Sequence, residues 1–263
     1  MKRRNLTIGP LLAGGAHSAR AEEPAKQHRI AIVIPAGSIA GISDTGDRLY
    51  RAIFQELRRL GYVEGQNLTV ERYSGEGRPK GFPDLARDVA ARNPEVIVAI
   101  TNPLALAVRA ATGTIPVVWI GIEAIGVGLV RSFAHPGRNI TGVSLYDAEF
   151  YAKRLQILKE ALPSASRVVW LIIKLIEKGR LPAIYGNREY VEAGGLMAYE
   201  GGLDEAGRRM ADDVHEILNG AKPGDIPIYQ ATRFGFVINL NAAKTLGLTI
   251  PPTLLGTADE VIE

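Results

Sequence analysis

An α/β protein of two doubly wound parallel-sheet lobes joined by crossing strands is what this sequence predicts, and three observations carry that expectation. Short continuous apolar runs alternate with stretches whose leucines and isoleucines recur at helical spacing, the pattern of parallel strands buried on both faces and linked by helices. The stretch His135-Pro-Gly-Arg-Asn-Ile-Thr-Gly-Val-Ser144 has strand-helix units both before and after it. Its small, turn-tolerant and hydroxyl-bearing residues suit a hinge that lines a cleft. Finally, 263 residues of which 46% are apolar and 22% charged suffice to bury a core in one large domain or two small ones.

Taken in order, the run Ile30-Ala-Ile-Val-Ile34 predicts the first strand over 29–35. After a turn-rich segment, Leu49, Ile53, Leu57 and Leu60 mark a helix that Gly61 stops. A second strand over 68–73, a helix over 82–92, a third strand over 96–100, a helix over 104–111 and a fourth strand over 115–120 complete a first lobe spanning 29–142. Strands spaced by helices of this length pair in parallel with right-handed crossovers. Ligands on such sheets sit beyond the carboxyl ends of the strands.

Past the crossing, a second lobe spans 143–263, with its C-terminal segment returning toward the hinge. Leu155, Leu158 and Leu162 place a helix over 149–162, closed by Pro163. A strand is expected over 167–172, but the apolar run continues without a turn residue to Gly179. Short strands follow over 181–185 and 196–199, then a helix capped by Asp204 and running to Leu218, a strand over 234–240 and helical pieces over 242–246 and 252–260.

Composition excludes several kinds of chemistry. Cysteine is absent, so disulfides, thiolate nucleophiles and cysteine zinc sites are excluded. The histidines His17, His28, His135 and His215 are too scattered to spell a metal box, and no metal site is assigned. Glycines four apart after the first strand miss the dinucleotide fingerprint, and no Gly-Lys-Ser/Thr loop occurs, so no cofactor is expected. The net charge of +3, less the four positives Lys2, Arg3, Arg4 and Arg20, leaves −1 for a chain without residues 1–21, which removes the case for nucleic acid. That removal is expected: a basic start, a modest apolar run and Ala19-Arg-Ala21 have the form of a cleaved signal peptide, by the general or the twin-arginine route, and place the protein in the periplasm. No later run reaches the roughly 18 apolar residues of a membrane span.

What recurs at the strand ends is hydroxyls, amides and glycines: Ser38, Thr101 with Asn102, Thr141, Gly142 and Ser144, and Tyr185 with Gly186. Such groups hold a small polar ligand rather than transform it, backbone N–H groups at helix starts suit a carboxylate, and Glu123 suits an ammonium group. No catalytic residue is assigned.

Six segments in one order carry a resemblance: Tyr62-Val-Glu-Gly-Gln-Asn-Leu68, Gly137-Arg-Asn-Ile-Thr-Gly142, Lys153-Arg-Leu-Gln-Ile-Leu-Lys-Glu160, Leu181-Pro-Ala-Ile-Tyr-Gly186, Tyr190-Val-Glu-Ala-Gly-Gly-Leu196 and Leu246-Gly-Leu-Thr-Ile-Pro-Pro252. The chain resembles the substrate-binding proteins of ABC transporters of the tryptophan/tyrosine-binding type. The resemblance implies a type 1 periplasmic-binding-protein fold that closes around an amino acid or similar solute and presents it to a membrane permease, without catalysis. It implies contacts at Thr101 and Asn102, the 141–144 crossing, Tyr185, Gly186 and Glu192. The chain departs from the pattern in having Glu123-Ala124 after the fourth strand, and at Ile172-Ile173, where further strand and helix units are missing and the second lobe is shortened. Two alternatives stay open: a degenerate or regulatory relative that no longer closes on solute, and an enzyme on the same scaffold.

Overall fold

The computed structural model describes residues 26–146, 148–164 and 181–263. The leader expected over 1–21, and the strand expected over 167–172 with the run after it to Gly179, lie outside the described residues.

The first sheet grows from β1 (His28–Ile34), whose side chains alternate between two buried faces. Ile30, Ile32 and Ile34 pack toward α1 (Arg48–Arg59), against Ile53 and Leu57. Ala31 and Val33 pack toward α2 (Phe82–Ala91) and α3 (Asn102–Ala111), against Val89, Leu104 and Val108. Helices on both faces explain why the strand sequence is apolar throughout rather than alternating. β2 (Leu68–Ser74), β3 (Val96–Ile100), β4 (Val117–Ile122), β5 (Ile140–Tyr146) and β8 (Tyr229–Gln230) complete a parallel sheet in the order β2-β1-β3-β4-β5-β8.

From β5 the chain enters the second lobe through α4 (Ala148–Ala161). Its sheet contains β6 (Ile184–Tyr185), β7 (Met197–Gly201), β9 (Phe234–Asn239) and β10 (Glu260–Ile262) in the order β10-β9-β7-β6. Short helices α5 (Glu189–Glu192), α7 (Leu240–Thr245) and α8 (Pro252–Leu255) connect these strands. Ile157, Leu196, Met197, Phe236, Ile238 and Leu254 form the larger core of this lobe.

Four differences from the expected pattern have physical causes. The second sheet is mixed, because β7 pairs antiparallel with β9. The chain leaves the second lobe after β7 and re-enters it along β9, so adjacent strands cross the lobe boundary in opposite senses. The α/β class and the two sheets stand; only this pair departs from a wholly parallel arrangement.

Second, the segment 203–230 packs with the first lobe, not with the second as a boundary at 142/143 implied. The helix α6 (Leu203–Leu218) lays Ala206, Met210, Ala211 and Val214 on the β1 face beside α1. Gly207 sits at that helix crossing, where a Cβ would lie 2.6 Å from the Leu49 carbonyl oxygen. Asp204 does not cap the helix; Gly202 holds the cap position and Asp204 lies in the first turn.

Third, the strand expected over 181–185 shrinks to two residues at the sheet edge. Fourth, the last helical piece stops at Leu255 instead of reaching 260, and Glu260 begins an edge strand.

Asp213 is the least comfortable group in α6. Its side chain is wholly buried and neither carboxylate oxygen has a hydrogen-bond partner among the described residues. The Arg209 guanidinium is 3.1 Å away and pulls the pKa down, but burial outweighs it and pushes the carboxyl up to about 8. The native state therefore holds this proton at pH values where the unfolded chain, titrating near about 4, has released it. Stability must fall as pH rises from about 4 to about 8. Asp213→Asn is expected to flatten that slope and to leave the protein more stable than wild type at pH 8, as urea unfolding at pH 5, 6.5 and 8 would show. Parallel slopes in the two proteins would contradict it.

Candidate functional site: an inter-lobe cleft

A cleft of about 1250 Å³ lies between the lobes, beyond the carboxyl ends of β3 and β4. Ile100, Ile120, Ile122 and Leu145 make its apolar floor. The first turn of α1 and the start of α3 form one wall, and Asn187 to Tyr190, with Glu192 and Ala193, contribute the other.

Thr101 ends β3 with a backbone that side chains rarely adopt, φ 82° and ψ 155°, and caps the start of α3. Its amide donates to the Ile120 carbonyl at 2.9 Å and its carbonyl accepts from Ala105 at 3.1 Å, so neighbours on both sides hold the strained conformation. Its hydroxyl is buried and has no partner among the described residues. A strained residue with an orphan hydroxyl at the cleft is the arrangement expected where a ligand completes the hydrogen bonding.

Asn102 lines the cleft too, but its side chain is occupied. Its amide nitrogen donates to the Ile122 carbonyl at 2.6 Å, and its oxygen accepts from the Trp119 indole at 3.2 Å and from the Ile122 amide at 3.3 Å. Asn102 thus clamps the ends of β3 and β4 together. Gly121 permits this, since a Cβ there would sit 2.7 Å from the Trp119 ring nitrogen.

Charges on the walls fall into two sets. Arg48 donates to Glu200 of β7 at 2.7 Å and to Asp204 of α6 at 3.2 Å, bridging the lobes. Glu200 also accepts from the Arg188 amide at 2.7 Å, and the Arg188 side chain pairs with Glu192 and Glu260, each at 2.9 Å. Asp47, Arg51 and Glu189 form the second set: they line the cleft, and no ion pair engages any of them among the described residues. Two aromatic residues complete the lining. Burial pushes the Tyr50 phenol up, with Asp47 adding to the shift, and Tyr190 is 38% exposed and stacked on Tyr185 at 5.4 Å.

Of the residues the sequence singled out, the structure brings Thr101, Asn102 and Glu192 to this cleft. Thr141 is fully buried and its hydroxyl donates to the Ile226 carbonyl at 2.9 Å, so it is closed to a solute. Gly142 packs against the Trp119 backbone. Ser144 lines a separate cavity of about 720 Å³ that shares only Leu145 with the cleft, so it does not lie in one cleft with Thr101. Ser38 caps the turn Ile39–Gly41 by accepting from the Ala40 amide at 3.2 Å and is not part of the lining. Glu123 is exposed just past β4, with a φ of 49°. Tyr185 is buried behind Tyr190, and Gly186 lies close to the Arg154 guanidinium. Sequence reasoning missed Asp47, Arg48, Arg51, Arg188, Glu189 and Tyr190. The available signal was Asn187-Arg-Glu-Tyr190, charged and aromatic residues placed immediately after a strand end.

The family model described as "ABC transporter substrate binding protein" matches residues 39–174 and 169–262. A curated relative, the "Tyrosine-binding protein" of Clostridioides difficile (strain R20291), is 26% identical over 123 residues, which are 46% of this chain and 35% of the relative. The match thus spans about a third of that relative's length. Among solved structures, a conserved domain protein from Vibrio cholerae O1 biovar El Tor aligns with TM-score 0.79 at 24% identity, over 90% of this chain and 100% of that one. An ABC domain in complex with L-Trp from Streptococcus pneumonia aligns with TM-score 0.78 at 21% identity, over 90% and 100%. A ligand-free, open substrate binding protein with adhesive properties from Clostridium difficile aligns with TM-score 0.64 at 18% identity, over 89% and 99%. At these identities the structures establish the shared fold.

Proposed function

This chain belongs to the ABC transporter substrate binding protein family, and from that premise we propose that it captures a small amino-acid-like solute in the cleft between its lobes and presents it to a membrane permease. It acts by binding, after export to the periplasm. The observation that carries this reading is Thr101, strained at φ 82° with a buried hydroxyl that has no partner among the described residues. A solute polar group placed at that hydroxyl satisfies it, and the open turn of α3 beside it favours an anionic group. Arg51 supplies a cation that no described carboxylate pairs, and Asp47 and Glu189 supply carboxylates, the complement of a zwitterion. The half-exposed Tyr190 ring offers a stacking surface for an aromatic side chain. Tyrosine and tryptophan, named for the curated relative and for a structural neighbour, are therefore the first solutes to test.

The test is a thermal-shift screen of L-amino acids, small carboxylates and purines, since a solute that binds only the folded state raises the melting temperature by mass action. Thr101→Val keeps the β-branched shape and removes the hydroxyl. It is expected to weaken the best solute about tenfold or more, the cost of one lost buried hydrogen bond, while the melting temperature without solute stays within a few degrees of wild type. A Thr101→Val variant that binds as tightly as wild type would exclude the hydroxyl from recognition, and a screen with no hit would remove the amino-acid reading itself.

A further inference from the structure

We propose that the second cavity is a binding site for a planar aromatic carboxylate, separate from the solute cleft. Its volume, about 720 Å³, falls within the roughly 300–1,000 Å³ usual for small-molecule sites. Three rings build its apolar side. Tyr199 of β7 stacks on Phe150 of α4 at 5.1 Å and on Phe234 of β9 at 5.7 Å, and Phe150 and Phe234 meet at 5.3 Å. Phe150 is buried, whereas Phe234 is 37% exposed, so the cluster ends in an open ring that a further ring can cover.

The charge beside these rings selects the ligand's sign. Lys153 lines the cavity, its ammonium lies 3.5 Å from the Gln156 side-chain oxygen, and among the described residues no carboxylate lies within ion-pair distance of it. The Arg154 guanidinium already lies over the Phe150 ring at 4.8 Å. A cationic ligand would meet the Lys153 ammonium, while an anionic one gains a charge-assisted contact with it. The Gln230 amide, exposed in the lining, supplies a donor to the same anionic group. The cavity also draws on each segment where the chain crosses between the lobes: Ser144 of β5, Tyr199 of β7, and the link from Gln230 to Phe234. Nothing in this assignment depends on the cleft's solute.

Calorimetric titration of the whole protein with indole-3-acetate tests it, because that probe carries a ring and a carboxylate but no ammonium group. Indole and acetate serve as the two halves. Indole-3-acetate is expected to bind, with each half at least about tenfold weaker, and Lys153→Gln to weaken it by about tenfold, the loss of one charge-assisted contact. Phe234→Ala is expected to abolish binding, and Phe234→Leu, which keeps the apolar cover, to weaken it. Both Lys153→Gln and Phe234→Leu should leave L-tyrosine binding at the cleft unchanged, and Arg51→Gln should leave indole-3-acetate binding unchanged. The proposal is overturned if wild type does not bind indole-3-acetate, if indole binds equally well, if the Lys153 and Phe234 variants bind like wild type, or if Arg51→Gln weakens the probe as much as Lys153→Gln does.

Discussion

Gly142→Ala is expected to cost roughly 3 kcal/mol of stability or more, the upper end of what overpacking costs, because no rotamer change relieves the clash. Gly142 stands opposite Trp119 in the parallel β4–β5 pair, at a φ of 141°. A Cβ there would overlap the Trp119 carbonyl oxygen and lie 2.5 Å from the Trp119 amide nitrogen, so it strikes backbone on a strand buried on both sides. The only relief is to move β5 away from β4, and β5 is the strand that leads into the second lobe. The nearby contacts would go with it, including the Thr141 hydroxyl bond to Ile226. Urea unfolding measures the loss, and Gly247→Ala is the control: that glycine has a φ of 68° but nothing within 4 Å of a Cβ. Only the left-handed strain applies there, about 1 kcal/mol. Similar losses at the two positions would show that conformation rather than the close approach of the strands governs Gly142.

Arg48→Ala is expected to destabilise the protein by about 3 kcal/mol, because it leaves a buried carboxylate without its cation. Glu200 is only 5% exposed, and Arg48 bridges it to Asp204 from the other lobe. Arg48→Lys is not expected to restore the loss, since one ammonium cannot serve two carboxylates in the forked geometry of a guanidinium. Glu200→Gln alone should cost less, because the amide keeps an acceptor for the Arg188 N–H and leaves no stranded charge. In the double variant the two losses should not add, and a coupling above about 1 kcal/mol is the signature of direct contact. Strict additivity in that cycle would mean that the bridge contributes nothing across the lobes.

Much of the first lobe was legible because its central strands β1, β3 and β4 meet helices on both faces. The run 30–34 is apolar at every position, and the helix at 48–59 shows its stripe at Leu49, Ile53 and Leu57. The site was legible where local backbone marks it, at Thr101 and Asn102 on a strand end that opens a helix, and at Glu192 through the family resemblance. Thr141 and Ser144 carry the same polar chemistry and both are buried, yet Thr141 is tied to Ile226 while Ser144 lines the second cavity, and sequence does not reveal the neighbours that β5 draws from β4 and β8.

By itself the sequence determined the element types of the first lobe, the α/β class and the family, because hydrophobic period, turn residues and short motifs are properties of consecutive residues. Only the tertiary structure decided that α6 belongs with the first lobe, that β9 runs against β7, and that Arg48 spends its charge between lobes while Arg51 keeps its own for the cleft. Those outcomes depend on residues some 150 positions apart, as Arg48 and Glu200 are. Burial and pairing at that separation follow from the path of the whole chain, which no local window contains.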